Sequence, residues 1–341
     1  MTSSRAKSLQ KVSDHISTVL SNHGFTTRII YDSPSPGELV KLVNEVDGAL
    51  LVMPVDTALC ASFMYDYYRF KASGKKAVYY GTIEGDIRNP DALDWVKRRV
   101  EFTANSKYTK SKLEKAGFKV VDVVYHGVPV EFYSNARVCG KLFRESLGLT
   151  SDVFLVGYIA SSHRRKGHDL ATQVMKIIEK KDPSVKFIVL SSNDALEHYS
   201  GLSNVIFMSR FATMPEDQLK CFYGALDLYS HFSLAEGFGL PVLEALASGK
   251  PVIHADYDPL SEITTPETSF RVPVRRIDYY RDFTAINFEL HMYDPAEYAE
   301  MLLQAKDIVK RHASELEELA KTRSREFDMY KTYYRFIEMF S

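Results

Sequence analysis

Two glutamates on either side of a glycine-rich turn are the residues of this chain whose types and spacing best suit chemistry. In the segment SHFSLAEGFGLPVLEALASGKPV, Glu236 stands just before the turn and Glu244 follows eight positions later. Gly237 and Gly239 permit tight turning and the close approach of a ligand to the backbone. Carboxylates at these two places could accept hydrogen bonds from the hydroxyl groups of a bound ligand.

The residues around the glutamates predict a strand, a turn, a helix and a second strand. Leu226, Leu228 and Phe232 form a short apolar run that is typical of a buried strand. Pro241 suits the first turn of a helix, which Gly249 should end. The N-terminus of a helix offers free N–H groups and partial positive charge, and both favour a phosphate. A diphosphate between two carboxylates would suit a sugar nucleotide, but an ordinary strand–helix unit with solvated glutamates fits the spacing equally well.

The segment EGFGLPVLEALASGKPVI resembles the E-x7-E signature of retaining glycosyltransferases of the GT-B architecture, in particular family four. The match includes both glutamates, both glycines, the proline and the following A-x-G-x-P-V. The resemblance implies that Glu236 contacts the donor sugar as the catalytic carboxylate and that Glu244 holds the ribose hydroxyls. It also implies a donor-binding loop made of Gly237, Phe238, Gly239 and Leu240. The backbone amides of the last three would face the sugar and the diphosphate.

A basic loop upstream is a second candidate for binding the diphosphate. A strand predicted at 153–160 is followed by the run SSHRRKG and then by a helix. A basic loop at a helix N-terminus is a natural site for phosphate groups. Family four carries an arginine and a lysine here, so the resemblance implies that Lys166 binds the diphosphate. A serine stands at the usual arginine position, and either Arg164 or Arg165 could substitute for it. A solvated basic loop is the alternative.

The first half of the chain alternates helices with strands, which favours a parallel α/β sheet. Helices are predicted at 5–22, 36–46 and 57–70, and strands at 26–31, 48–53 and 77–80. Compared with family four, the first strand and its glycine-rich loop are missing, so we expect a shortened N-terminal domain with altered acceptor contacts. The loop after the third strand carries Glu84 and Asp86, which could contact an acceptor or accept its proton. Solvated acids or helix caps are the alternative.

The length of 341 residues allows two domains of ordinary size. The resemblance implies GT-B architecture, an α/β fold in which two Rossmann-like domains face each other across a cleft. We predict an acceptor domain at 1–134 and a nucleotide-sugar-binding domain at 135–322. A C-terminal helix at 323–341, with an aromatic stripe, should cross back to the first domain.

Composition limits the classes of function and the compartment. Hydrophobic content is 45% and the net charge is −1, which gives no electrostatic case for nucleic acid. No apolar run is long enough to span a membrane, and the N-terminus does not resemble a signal peptide. Cys60, Cys139 and Cys221 are scattered without metal-ligand spacing, which suggests a reducing compartment. We expect a cytoplasmic protein, with peripheral membrane contact through the basic helix end at 97–99 as an alternative to simple solvation.

The resemblance, together with these patterns, implies a hexosyltransferase that uses a nucleotide sugar, such as a UDP- or GDP-sugar. Retention of configuration at the transferred sugar is implied by the resemblance alone. No cofactor and no metal are expected, because a helix N-terminus and basic side chains can neutralise the leaving diphosphate. The acceptor could be a glycan, a lipid-linked molecule or a small molecule. A sugar-nucleotide epimerase and a non-catalytic sugar-nucleotide binder are the alternatives.

Overall fold

A computed structural model describes residues 1–55, 57–282 and 284–341; the side chains of 57–60, including that of Cys60, lie outside the described part. The strands are β1 Gly48–Pro54, β2 Lys76–Thr82, β3 Gly85–Ile87, β4 Glu101–Ala104, β5 Lys119–Val123, β6 Phe154–Ile159, β7 Val185–Leu190, β8 Val205–Met208, β9 Leu228–His231, β10 Val252–Ala255, β11 Ser269–Val272, β12 Val274–Arg281 and β13 Ile286–Tyr293. The helices are α1 Lys7–Asn22, α2 Pro36–Glu45, α3 Thr57–Ala72, α4 Asp94–Lys97, α5 Lys107–Lys115, α6 Val130–Ser134, α7 Ala136–Ser146, α8 His168–Lys181, α9 Leu196–Tyr199, α10 Glu216–Ala225, α11 Leu240–Ala247, α12 Leu260–Ile263, α13 Pro295–Ser324, α14 Met329–Thr332 and α15 Tyr334–Phe340. Short 3-10 turns lie at Pro90–Leu93, Arg164–Lys166, Asn193–Ala195 and Arg325–Phe327.

Two parallel sheets form the cores of the two halves of the chain. The first has the strand order β1-β2-β4-β5, and the second has the order β11-β10-β9-β6-β7-β8. The helices that pack on them follow from local sequence, as α2 shows: Pro36 stands in its first turn, and Ser35 and Glu38 form a reciprocal capping box. The two parallel sheets confirm the predicted α/β class.

The place of the expected first strand is occupied by the first residues of the chain. Thr2 forms isolated parallel bridges with both Tyr31 and Val52, and its N–H donates to the carbonyl of Ile30 at 3.0 Å. The segment 26–31, which we predicted as a strand, contributes only such bridge contacts. The first strand is therefore reduced to a bridge rather than missing, and the loop that follows it contains no glycine.

A third, antiparallel sheet joins the two halves of the chain. Its order is β12-β13-β3, and β13 of the second half pairs with β3 of the first through Ile286 opposite Ile87 and Phe288 opposite Gly85. A Cβ atom at Gly85 would lie 2.2 Å from the carbonyl oxygen of Asn287, so a side chain there would obstruct the pairing. Sequence analysis predicted one strand and a basic turn at 270–280, and it missed both β13 and β3.

The last helices return to the first sheet. The ring of Phe336 in α15 lies edge-on to Tyr80 of β2 at 5.0 Å between centroids. Lys76, at the start of β2, donates to the carbonyl of Phe340 at 3.1 Å. The C-terminal aromatic stripe thus packs on the N-terminal half, while the exact domain boundaries stay a prediction.

Two of the three cysteines are paired. Cys139 in α7 and Cys221 in α10 form a disulfide that closes a separation of 82 residues. The disulfide removes the support that the scattered cysteines gave to the expectation of a reducing compartment. A separation of this length gives no local signal in the sequence. None of the helices within the described ranges is long and apolar enough to cross a bilayer.

Reduction of this disulfide should lower the free energy of unfolding by about 2–4 kcal/mol, because the crosslink restricts the unfolded chain. Urea unfolding with and without dithiothreitol measures the difference. The double variant Cys139→Ala/Cys221→Ala is the control, and reductant should leave its unfolding curve unchanged. An equal effect of reductant on that variant would contradict the assignment.

Candidate active site

The predicted strand–turn–helix–strand unit is confirmed. Strand β9 ends at His231, helix α11 begins at Leu240, and β10 follows it. Gly239 caps the helix N-terminus with φ 108°, a conformation that favours glycine. The loop also meets the first domain, since a Cβ atom at Gly237 would lie 2.2 Å from Oγ1 of Thr82. Pro241 has no N–H, and the N–H groups of Val242 and Leu243 donate to the carbonyl of Gly239, so the amides left for a ligand are those of residues 238–240.

Glu236 lies at the centre of a buried charge cluster. Its Oε1 accepts from Nζ of Lys166 at 2.6 Å and from Nε2 of His231 at 3.0 Å, and its Oε2 accepts from Arg165 at 3.3 Å. The residue is only 6% exposed. Burial alone would raise the pKa of Glu236, but the charges of Lys166 and Arg165 outweigh burial and hold it well below its usual range. The carboxylate is therefore ionised at neutral pH.

The structure separates the two arginines that sequence analysis could not distinguish. Arg165 turns inward, where it also donates to the carbonyl of Ala235 at 3.0 Å. Arg164 turns the other way, and its guanidinium lies 4.9 Å from the ring centroid of Tyr280. Arg165, and not Arg164, therefore stands together with Lys166 beside Glu236.

The two candidate acceptor-side acids have different surroundings. Glu84, in the turn between β2 and β3, contacts Arg165 across the domains at 2.7 Å. Asp86 lies in β3 rather than in a loop, and its carboxylate contacts Lys112 at 3.2 Å and Lys115 at 2.8 Å. Glu84 thus belongs to the cluster around Glu236, whereas Asp86 is bound by lysines of its own domain.

Glu244 forms a second link between the domains. Its Oε1 lies 2.5 Å from Nζ of Lys11, and its Oε2 accepts from the hydroxyl of Tyr223 at 2.7 Å. Lys11 belongs to α1 of the first domain and also contacts Glu216 at 2.6 Å and the hydroxyl of Tyr133 at 2.9 Å. Sequence analysis missed Lys11, Tyr223 and Glu216.

Further contacts hold the two domains together around the loop. The carboxylate of Glu262 accepts the backbone N–H groups of Lys107 and Tyr108, at 2.9 and 2.7 Å, and so caps α5 from the other domain. The hydroxyl of Ser106 donates to the carbonyl of Gly237 at 3.1 Å. The loop and the first domain are therefore in direct contact. Among the residues that the structure describes, no three His, Cys, Asp or Glu side chains are grouped so that they could hold a metal ion.

The basic helix end at 97–99 is balanced in part by acids. Lys97 lies 3.2 Å from Asp94, and Arg98 lies 4.0 Å from the same carboxylate. Arg99 stacks on Trp95 at 5.2 Å. These pairs account for much of the local charge, and a membrane contact here stays a prediction.

The chain resembles known glycosyltransferases in sequence and in fold. Residues 151–282 match the family described as glycosyl transferases group 1. The chain is 26% identical over 340 residues to "Uncharacterized glycosyltransferase 335" of Sulfolobus islandicus rod-shaped virus 1, and the match covers 97% of each chain. It also superposes on a glycosyltransferase from Rickettsia africae ESF-5 with a TM-score of 0.74 and 14% identity, covering 100% of this chain and 96% of that one.

The chain further superposes on HepE from Anabaena in complex with UDP-glucose. The TM-score is 0.73 at 17% identity, with 99% of this chain and 97% of that chain covered. These likenesses confirm the expected arrangement of two facing Rossmann-like domains. The chain therefore has the GT-B glycosyltransferase fold, and residues 151–282 carry the match to glycosyl transferases group 1.

Proposed function

We propose that this glycosyltransferase moves a hexose from a nucleotide sugar to an acceptor hydroxyl and retains the configuration at the transferred carbon. The observation that supports it best is the pairing of Arg165 and Lys166 with buried Glu236, beside the N-terminus of α11. Two cations and free helix N–H groups suit a diphosphate. HepE, solved in complex with UDP-glucose, makes that compound the first donor to test.

In the proposed mechanism the diphosphate draws Arg165 and Lys166 away from Glu236. Both cations and the amides of Phe238, Gly239 and Leu240 then stabilise the negative charge that develops on the leaving group. We further propose that these groups suffice without a metal, so EDTA should leave the initial rate of transfer unchanged. The released carboxylate of Glu236 faces the sugar and stabilises positive charge at the anomeric carbon.

The ribose and the acceptor would bind beside two neighbouring contacts between the domains. The ribose would lie at Glu244, which contacts Lys11, and the acceptor at Glu84, which contacts Arg165. A carboxylate has about four lone-pair positions, and Lys11 and Tyr223 take one on each oxygen of Glu244. The remaining positions can accept ribose hydroxyls. Glu84, on the first-domain side of Arg165, is the acid that would meet an acceptor.

A panel of nucleotides tests the donor. UDP, GDP and their glucose and mannose derivatives are compared by thermal shift, and a ligand at a hundred times its Kd should add roughly 2.7 kcal/mol of stability. NMR of the product formed from the stabilising donor then gives the anomeric configuration. Product formed with inverted configuration would overturn retention, and the absence of stabilisation by every nucleotide would overturn the proposed site.

The cation pair provides a sharper prediction. Replacing Lys166 or Arg165 by alanine should weaken UDP binding by roughly tenfold or more, since a charge-assisted hydrogen bond contributes about 1.5–3 kcal/mol. Binding of uridine, which has no phosphate, should change little. Isothermal titration calorimetry with both ligands measures the difference.

Arg164→Ala is the matched control for this pair. Arg164 carries the same charge in the same turn but stacks on Tyr280, so its loss should leave UDP affinity within about twofold. If uridine and UDP lose affinity equally in the Lys166 and Arg165 variants, the turn supports the pocket without binding phosphate.

A further inference from the structure

We propose that His231 is a positioning residue that keeps Glu236 directed at the donor sugar after the diphosphate has taken Arg165 and Lys166. The inference rests on the proposed function. When the diphosphate is bound, Glu236 has lost two of its three polar partners but must still keep one orientation.

His231 belongs to the sheet and not to the loop that follows it. It is the last residue of β9 and is fully buried. Its Nε2 lies 3.0 Å from Oε1 of Glu236, and its Nδ1 lies 3.4 Å from the hydroxyl of Tyr229. Because a carboxylate only accepts, Nε2 carries the hydrogen and donates, and Nδ1 accepts from Tyr229. The carboxylate of Glu236 thus sets the tautomer, and the contact with Tyr229 is consistent with it.

The three partners of Glu236 differ in what a phosphate can do to them. Arg165 and Lys166 are long cationic side chains on a 3-10 turn, and a diphosphate competes directly for their charge. Burial lowers the pKa of His231, although the charge of Glu236 opposes that shift. A neutral imidazole inside the sheet offers a phosphate little attraction. His231 therefore retains its hydrogen bond to Glu236 when the cations move.

A second buried histidine makes contacts that are typical of a purely structural role. His254 in β10 lies directly opposite His231 in the parallel register and is equally buried. Its two ring nitrogens contact the carbonyl of Ala255 at 2.7 Å and Oγ1 of Thr264 at 3.0 Å. His254 supports the same sheet without contacting Glu236, so it is a matched control.

The test compares His231→Leu, His231→Gln and His254→Gln with UDP-glucose as donor. His231→Leu should lower kcat for donor turnover by roughly tenfold through misplacement of Glu236. Its affinity for UDP should stay within about twofold, because the phosphate ligands are unchanged. His231→Gln places an amide N–H near the position of Nε2 and should recover most of the rate. His254→Gln should leave kcat within about twofold. Thermal unfolding of each variant separates loss of rate from loss of fold.

A measurement on the histidine itself does not depend on turnover. The hydrogen-bonded Nε2–H of His231 should give a downfield proton resonance in 15N-histidine-labelled protein, assigned by its loss in His231→Gln. We expect this resonance to persist at saturating UDP. Its disappearance on UDP binding, or an unchanged kcat in His231→Leu, would overturn the inference alone. Failure of both UDP and GDP to bind the wild-type protein would instead overturn the proposed function.

Discussion

Replacement of Glu236 by glutamine is expected to lower the rate of sugar transfer by roughly a hundredfold or more, as for the loss of one transition-state contact. The amide keeps the size of the side chain but cannot balance positive charge at the anomeric carbon. Binding of UDP should weaken by no more than about threefold. The reason is in the structure: Glu236 competes with the diphosphate for Lys166 and Arg165, and the substitution leaves both cations available.

Calorimetric titration of UDP and the initial rate at saturating donor measure the two effects on one variant. Glu84→Gln is the control when both variants are compared by hydrolysis of the donor without an acceptor, because Glu84 also contacts Arg165 and its proposed role is toward the acceptor. If the rate were lost because Arg165 no longer has a carboxylate partner, both variants would lose activity equally. A collapse of UDP binding in Glu236→Gln, with the rate at saturating donor retained, would assign Glu236 to the nucleotide pocket.

Replacement of Glu244 by alanine should weaken binding of UDP by about tenfold to a hundredfold. As a ligand of ribose hydroxyls it would contribute charge-assisted hydrogen bonds of about 1.5–3 kcal/mol. The fold should tolerate the change, because Lys11 keeps its second carboxylate partner, Glu216, at 2.6 Å. Calorimetric titration of UDP measures the loss.

Glu216→Ala is the control for this variant. Glu216 shares Lys11 with Glu244 but lies on α10, which precedes the strand–turn–helix–strand unit that carries Glu236 and Glu244. Its loss should change UDP affinity by less than about threefold. Equal losses in the two variants would mean that Lys11 and the contact between the domains control binding, and unchanged affinity in Glu244→Ala would exclude the ribose role.

Local sequence patterns predicted the strand–turn–helix–strand unit around Glu236 and Glu244, because glycine and proline stand where its chain turns. Gly237 and Gly239 permit the tight turn and Pro241 fixes the backbone in the first turn of the helix, so the strand, the turn and the helix follow from the sequence. The direction of neighbouring side chains does not follow in the same way. Arg164 and Arg165 are adjacent and identical, and only the 3-10 turn that carries them decides which one meets Glu236.

Contacts between distant parts of the chain left weaker signals or none. Lys11 resembles any solvated lysine on an amphipathic helix, yet its partner Glu244 is 233 positions away. Strand β13 did carry a signal, because Ile286, Phe288 and Leu290 alternate with more polar residues as in a half-buried strand. Strand β3, with only three residues, is too short for any periodicity to show.

The pairing of β3 with β13 limits how the two domains can move apart. Separation of the domains at this ladder would break several backbone hydrogen bonds together, whereas side-chain contacts separate one at a time. A rotation that preserves the ladder must have its axis close to β3, in the manner of a hinge. Contacts made by side chains alone, such as that of Lys11 with Glu244, can break during this rotation. The hinge would therefore admit the nucleotide without uncoupling the domains.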